Sequence, residues 1–216
     1  MQNKKNTSII IADDHPMLLK GLNEELVSNN YKVVGQATNG SEALELILKR
    51  APTLAILDID MPLLSGFEVI KIAKEKNILT KFIIQSFHGE SEYILQAKSL
   101  NIQGYLLKED SFNEIERCIT AVLNNKNYYS VSLGNSLLLY VTEELQHLKL
   151  LSPSESTILK LIAQQQSTNT IAINLSVSLR TVEKHRSNII NKLNLKGEAN
   201  ALTSWAIYNK DIISSL

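Results

Sequence analysis

Ser8-Ile-Ile-Ile-Ala-Asp-Asp14 and, further on, Leu54-Ala-Ile-Leu-Asp58 decide the fold of this chain. Each stretch is a short aliphatic run with carboxylates at its C-terminal end. Continuous apolar runs of this length read as strands of a parallel sheet, covered on both faces. Parallel strands bring their C-terminal ends to one edge, where α/β proteins place their ligands. Three carboxylates at that edge repel one another unless a cation sits among them. An all-oxygen donor set suits Mg2+, which keeps several waters and leaves room for a phosphate. Asp13, Asp14 and Asp58 are therefore candidate metal ligands. Asp58 is either a further ligand or the acceptor of a phosphoryl group.

The same alternation continues outward from these runs. Strands are expected at Ser8–Ala12, Lys32–Ala37, Leu54–Asp58, Phe82–Ser86 and Gly104–Lys108. Helices are expected at Pro16–Asn29, Gly40–Arg50, Gly66–Lys76, Tyr93–Leu100 and Phe112–Asn124. Five strands alternating with five helices predict a doubly wound, five-stranded parallel α/β sheet over residues 1–124. Two later strands also end on polar residues, Ser86 and Lys108. A lysine beside the acids neutralises a phosphoryl oxygen, and a serine hydroxyl bonds to one.

The formal net charge of zero conceals a division. Residues 1–124 hold 13 Lys/Arg against 16 Asp/Glu, and residues 150–216 hold 7 against 4. A basic half joined to an acidic one points to different partners, with nucleic acid the candidate for the basic half. The single cysteine, Cys118, lies in an amphipathic pattern and reads as a buried hydrophobe. One cysteine forms no intrachain disulfide, which fits a reducing compartment. No apolar stretch approaches the roughly 20 residues of a membrane span. The basic start Met1-Gln-Asn-Lys-Lys5 leads into an apolar run cut by Asp13 and Asp14, unlike a signal peptide. A cytoplasmic location without membrane association is expected.

Residues 125–147 read as a linker with some helix, and from Leu151 onward helical patterns dominate. Helices are expected at Pro153–Gln165, Thr168–Leu175, Leu179–Leu193 and Glu198–Ile212. Ser152, Pro153 and Glu155 form a capping-box entry, and Ser178 caps the helix at Leu179. Two helices joined by Leu175-Ser-Val-Ser178 suggest a small all-α helix-turn-helix domain over 148–216. At about 100° per residue, Val182, Ile189 and Leu193 share one face of its second helix. The opposite face holds Lys184, Ser187 and Asn191, flanked by Glu183 and Asn188. Lys184 can reach guanine acceptors from there, and Ser187 or Asn188 can bond base edges or phosphates. Arg180, Arg186, Lys192 and Lys196 lie nearer the edges, where phosphates run. A solvated face of a protein-binding bundle is the alternative.

Asp13-Asp14, Asp58 with Met61-Pro62 and Gly66, Ser86 and Lys108 resemble the receiver domain of bacterial two-component response regulators. The resemblance implies that Asp58 accepts phosphate from a sensor histidine kinase. It implies Mg2+ held by Asp13 or Asp14, by Asp58 and by the backbone carbonyl of Asp60. It also makes Ser86 and Tyr105 the hydroxyl and aromatic switch residues. The proline often found after the lysine is Glu109 here. Leu151-Ser-Pro-x-Glu155, Ile171-Ala172, Thr181-Val-Glu-Lys-His185, Asn188-Ile189 and Lys192-Leu193 resemble the LuxR-type DNA-binding domain. Together the two halves resemble the NarL/FixJ family. That implies a non-enzymatic regulator that binds double-stranded DNA, homodimeric when phosphorylated. By this likeness Arg180, Thr181, Glu183, Lys184, Arg186, Ser187, Asn188 and Lys192 are the DNA-binding residues, and the last helix is the dimer helix. Asp58-Ile-Asp60 also resembles the Asp-x-Asp pair of haloacid-dehalogenase phosphatases, an enzymatic alternative.

Overall fold

A computed structural model of the chain describes residues 4–195 and 200–214. The expected helix start at Glu198, and Lys196, lie outside the described residues. The chain divides into two compact units. The first runs up to Glu90 and includes Leu100–Gly134, and the second joins Ser91–Ser99 to the residues from Asn135 onward.

In the first unit, β1 (Ser8–Ala12) leads to α1 (Pro16–Ser28), β2 (Lys32–Ala37) and α2 (Gly40–Arg50). Then come β3 (Leu54–Leu57), α3 (Gly66–Glu75) and β4 (Lys81–Ser86). Helix α4 (Ser91–Ser99) belongs to the second unit, and the first resumes with β5 (Gly104–Leu107) and α5 (Phe112–Leu123). With β6 (Tyr128–Tyr129) at one edge, the strands are parallel and ordered β2-β1-β3-β4-β5-β6. The sheet therefore has six strands where five are expected.

The sixth strand, β6 (Tyr128–Tyr129), pairs with Gly104 and Tyr105 of β5. It is too short to carry a period-2 pattern and follows an Asn-rich, turn-like run, so composition hides it. Buried Glu114 holds it in place. The Glu114 carboxylate accepts the Tyr128 hydroxyl at 2.8 Å and the Val131 amide at 3.2 Å. The stretch expected as a linker with some helix thus holds a strand, a 3₁₀ turn (Val131–Leu133) and all but the last two residues of α6 (Asn135–Lys149).

Every residue of β3 and β5 is buried, as for strands covered on both faces. On one face Ile9, Ile11, Leu54, Ile56, Ile83 and Leu106 pack against Leu19 and Leu26 of α1 and Ile115, Ile119 and Val122 of α5. Cys118 lies fully buried in this layer. The order reverses at β1, whose neighbours are β2 on one side and β3 on the other. That leaves a crevice beyond the carboxyl ends of β1 and β3. The ladder carries one residue further at both ends. The Asp13 amide donates to the Ala37 carbonyl at 3.2 Å, and the Asp58 amide to the Ala12 carbonyl at 2.9 Å. These bonds anchor the two acids to the sheet.

The second unit is helical among the described residues. After α6 come α7 (Pro153–Ala163), α8 (Thr168–Asn174) and α9 (Leu179–Lys192), then α10 (Ala201–Tyr208) and α11 (Lys210–Ser214). The capping box of Ser152 and Glu155 forms, and Ser178 caps α9 by accepting the Thr181 amide at 3.1 Å. Ile158, Leu159, Ile162, Ile171, Ala172, Val182, Ile189 and Leu193 are buried, so the expected apolar face of α9 is its inner face. The last helix, expected to run unbroken to Ile212, is divided at Asn209. The buried Asn209 side chain and its backbone N–H both donate to the Trp205 carbonyl, each at 3.0 Å. Trp205 ties α10 to α6 through an indole bond to Glu144 at 2.8 Å. No helix among the described residues is long and apolar enough to cross a membrane.

At the start of α3 the backbone crosses close beneath Asp58. A Cβ on Gly66 would lie 2.1 Å from the Asp58 carbonyl oxygen. Backbone must shift to admit any side chain. Gly66→Ala is therefore expected to lower the unfolding free energy by about 2–4 kcal/mol, above the usual cost of overpacking. Urea titration followed by circular dichroism measures this. An unchanged midpoint would show that the turn can yield.

Candidate functional site

The carboxyl ends of β1, β3 and β5 bring Asp13, Asp58 and Lys108 together. The Lys108 ammonium lies 2.7 Å from Asp58 Oδ2 and 3.0 Å from Asp13 Oδ2, with all three side chains largely buried. Asp58 Oδ1 accepts the Ile59 amide at 2.7 Å. Asp14, half-buried, joins the cluster, and so does His15. The ligand atoms of Asp13, Asp14, His15 and Asp58 all lie within 4.8 Å of one another.

The electrostatics follow from burial and from the count of charges. Burial is the largest influence on Asp58 and raises its carboxyl pKa. Lys108 opposes this, and the neighbouring charge of Asp13 adds to the rise. For Lys108, burial works downward, but the bonds and charges of Asp58 and Asp13 prevail and hold its ammonium above the ordinary value. Three carboxylates thus face one ammonium. Asp14 Oδ1 is buried, with His15 Nδ1 2.8 Å away. Carboxylates in excess over ammonium at a buried sheet edge fit a divalent cation.

Ser86 ends β4 fully buried, and its Oγ accepts the His88 amide at 3.2 Å. Tyr105 is fully buried in β5, and its hydroxyl donates to the His88 carbonyl at 2.8 Å. His88 therefore links the two residues expected to switch. The Asp60 carboxylate does not share the Asp58 cluster, because it bonds His88 Nε2 at 2.6 Å. The two acids of Asp58-Ile-Asp60 engage different partners, unlike a nucleophile and general acid serving one bond.

Sequence reasoning missed His15, Phe87 and His88. His15 stood next to the acid pair, which was a usable signal. Phe87 had none. Its ring is 66% exposed, with Lys108 Nζ 4.9 Å from its centre and the His15 ring edge-on at 6.1 Å. The loop after Lys108 is fixed by Asp110. One Asp110 oxygen accepts the Leu107 amide at 2.8 Å, and the other accepts the hydroxyls of Ser130 and Ser132 at 2.9 and 3.1 Å.

In the second unit α9 presents Arg180, Glu183, Lys184, Ser187 and Asn191 outward, all exposed. Ser187 Oγ donates to the Glu183 carbonyl at 3.1 Å, and Thr181 Oγ1 bonds the capping Ser178 at 2.7 Å. Asn188 is half-buried. Arg186 turns toward α10, where Nη2 donates to Thr203 Oγ1 at 3.2 Å, and burial lowers its pKa. Lys192, expected at the phosphate-facing edge, is engaged inside the unit instead. Its ammonium donates to the buried Glu155 carboxylate at 2.7 Å and to the Leu150 carbonyl at 3.0 Å. The cause is Glu155, whose cap role buries its charge and requires a cation beside it.

Two protein families match the chain. Residues 9–120 match the response regulator receiver domain, and residues 149–205 match the luxR family of bacterial regulatory proteins. The transcriptional regulatory protein DesR of Bacillus subtilis is 32% identical over 197 residues, covering 91% of this chain and 94% of the relative. The nitrate/nitrite response regulator protein NarL of Escherichia coli is 30% identical over 206 residues, covering 93% and 95%. Among solved structures, a LuxR-family DNA-binding response regulator from Staphylococcus aureus matches with TM-score 0.52 at 32% identity, covering 55% of this chain and 99% of its own. The response regulator RcsB in complex with DNA shares the fold, with TM-score 0.61 at 24% identity over 94% of this chain and 98% of its own.

The Glu155–Lys192 pair sets a pH dependence. Burial pushes the Glu155 carboxyl upward, but the bonds from Lys192 and Ser152 together outweigh it and hold the pKa at about 2. A folded pKa below the unfolded one gives stability that is present above the ordinary value of 4.5 and lost as pH falls toward about 2. Lys192→Ala is expected to cost about 1–2 kcal/mol at neutral pH, since the pair is partly exposed on the lysine side. The difference from wild type should shrink as pH falls through that window. Urea unfolding read by Trp205 fluorescence checks it, and a pH-independent difference would refute the pairing.

Proposed function

Because the chain belongs to the response regulators that join a receiver domain to a luxR-type DNA-binding domain, we propose that it is a two-component transcriptional regulator. Asp58 accepts a phosphoryl group from a sensor histidine kinase, and the second unit binds double-stranded DNA. Residues 1–124 with the added β6 form the phosphoacceptor part, and residues 148–216 the DNA-binding part. The observation that carries the reading is Asp58, whose buried carboxylate lies 2.7 Å from Lys108 with Asp13 on the same ammonium.

In this reading an Asp58 oxygen forms the new O–P bond as the bond from phosphorus to the kinase imidazole breaks. Lys108 then exchanges a carboxylate oxygen for a phosphoryl oxygen and keeps a charge-assisted bond throughout. The Ser86 hydroxyl turns to the phosphoryl group and releases the His88 amide. Since the His88 carbonyl holds Tyr105, the rearrangement passes from the site to the aromatic ring. Asp13, Asp14, Asp58 and the carbonyl of Asp60 would hold Mg2+, which would supply the positive charge that three carboxylates and an incoming phosphoryl group require. The phosphorylated form assembles as a homodimer, which lets two basic units meet paired half-sites. We place the protein in the cytoplasm, with its DNA.

On α9, Lys184, Ser187 and Glu183 are the base-reading candidates, because they are exposed opposite buried Val182 and Ile189. Arg180 is the exposed candidate for a phosphate contact. Thr181 bonds the capping Ser178 and Arg186 bonds Thr203 of α10, while half-buried Asn188 flanks the base-reading face.

Asp58→Ala is expected to abolish uptake of phosphate from acetyl phosphate in Mg2+, read as loss of the phosphoryl mass by mass spectrometry. Labelling that persists in the variant would remove Asp58 from its role. Lys184→Ala should cost about 1–3 kcal/mol on the best operator and little on random duplex. Arg180→Ala should weaken both alike and reduce the salt slope by about one. Fluorescence anisotropy over a salt series separates the two, and variants that leave both duplexes unaffected would overturn the DNA-binding assignment of α9.

A further inference from the structure

We propose that Asp110 is a positioning residue: it holds the turn that carries Lys108, and Ser130 and Ser132 in turn hold Asp110. Residues beyond α5 thereby set the lysine that meets the phosphoryl group. The inference rests on reading Asp58 as the phosphoacceptor. Lys108 and Glu109 are the central residues of a turn between Leu107 and Asp110. Asp110 closes that turn twice. Its amide donates to the Leu107 carbonyl at 3.0 Å, and its Oδ2 accepts the Leu107 amide at 2.8 Å. The Lys108 amide, bonded to the Ser86 carbonyl at 2.8 Å, fixes the side toward β4. Neither Lys108 nor Glu109 restricts a turn as proline would. The stiffness of this one therefore comes from its hydrogen bonds, and two of them belong to Asp110.

The second Asp110 oxygen faces the chain that follows β6. It accepts the Ser130 hydroxyl at 2.9 Å and the Ser132 hydroxyl at 3.1 Å. Ser130 is buried and is itself fixed. Its amide donates to the Tyr105 carbonyl at 2.8 Å, and its Oγ accepts the Ser132 amide at 3.1 Å. Leu133, also buried, reaches the loop after β4. A Cβ on Gly89 would lie 3.6 Å from Leu133 Cδ2 and 3.7 Å from Leu107 Cδ2. Residues 130–133 therefore run along the loops that follow Ser86 and Lys108, and Asp110 is their polar fastening to the second.

The demand on Lys108 is geometric. Its ammonium bonds Asp58 Oδ2 at 2.7 Å, and during transfer it must meet a phosphoryl oxygen attached to that same carboxylate. A lysine side chain has many rotamers, and a loose turn would spread the ammonium over them. Misplacement by about 1 Å costs up to about 100-fold in rate. A carboxylate can close the turn with one oxygen and grip the serines with the other. An asparagine can do the same, its carbonyl accepting the Leu107 amide and its N–H groups donating to the two hydroxyls. An alanine can do neither.

The test follows the rate at which the full chain takes a phosphoryl group from acetyl phosphate in Mg2+, with acetate leaving as the Asp58 oxygen bonds phosphorus. Mass spectrometry reads the rate, at a temperature where circular dichroism shows each variant folded. Asp110→Ala should slow uptake by about tenfold, and Asp110→Asn should return it to within about threefold of wild type. Ser130→Ala with Ser132→Ala should slow uptake by about threefold, and should add nothing in the Asp110→Ala background. Because Asp110 acts through Lys108, Asp110→Ala should also add nothing to the loss in Lys108→Ala, whereas a general loosening of the fold would slow uptake in both backgrounds. Unaltered uptake in Asp110→Ala, an equal loss in Asp110→Asn, or a loss that persists undiminished in the Lys108→Ala background overturns the assignment and leaves Asp58 as the acceptor. If wild type takes up no phosphoryl group, the reading of Asp58 fails and this inference falls with it.

Discussion

The Lys108 ammonium joins the ends of three strands by bonding Asp58 from β3 and Asp13 from β1 while standing at the end of β5. All three groups are buried, so none is replaceable by water. Removing either partner from such a pair typically costs about 3–5 kcal/mol, because a charge is left stranded. The arrangement is nonetheless unbalanced, with acids in excess. A structure that holds surplus negative charge in a low-dielectric crevice has a standing demand for cations. A divalent cation would answer that demand, and the phosphorylation proposed for Asp58 would deepen it.

Much of this was legible from the chain alone, for a physical reason. Strands buried on both faces must be continuously apolar, so Ser8–Ala12 and Leu54–Leu57 announce themselves, and the acids after them fall at the strand ends. The caps at Ser152 and Ser178 rest on local hydrogen bonds, which sequence spacing specifies. The features that stayed hidden depend on contacts distant in sequence. β6 exists because Glu114 and Gln103 hold Tyr128, and no two-residue pattern conveys that. Phe87 lies over Lys108 only because β4 and β5 are neighbours.

Lys192 illustrates how a neighbouring helix can engage a basic residue that helical phase places at a surface edge. Helical phase places it toward the edge of α9, yet it lies across from a carboxylate contributed by α7. Glu155 serves first as the closing member of a capping box. Its burial then recruits a lysine from a different helix. A basic residue on a recognition helix therefore has two possible duties, and only the neighbouring helices determine which it performs. The same holds for Arg186, drawn toward Thr203 of α10. The outward charge of α9 consequently rests on fewer residues than its composition suggests.

The chain contains one cysteine and one tryptophan, and they fall in different units. Cys118 is sealed in the sheet-facing layer of α5, where burial pushes its thiol pKa up. Trp205 is fastened to Glu144 in the helical unit. Each unit thus carries its own native reporter. Thiol-reactive reagents sense opening of the first, because alkylation waits for the sheet to part. Indole emission senses loosening of the second. The cooperativity of the whole molecule can be dissected in the unmodified chain, without cutting it and without introducing a foreign label.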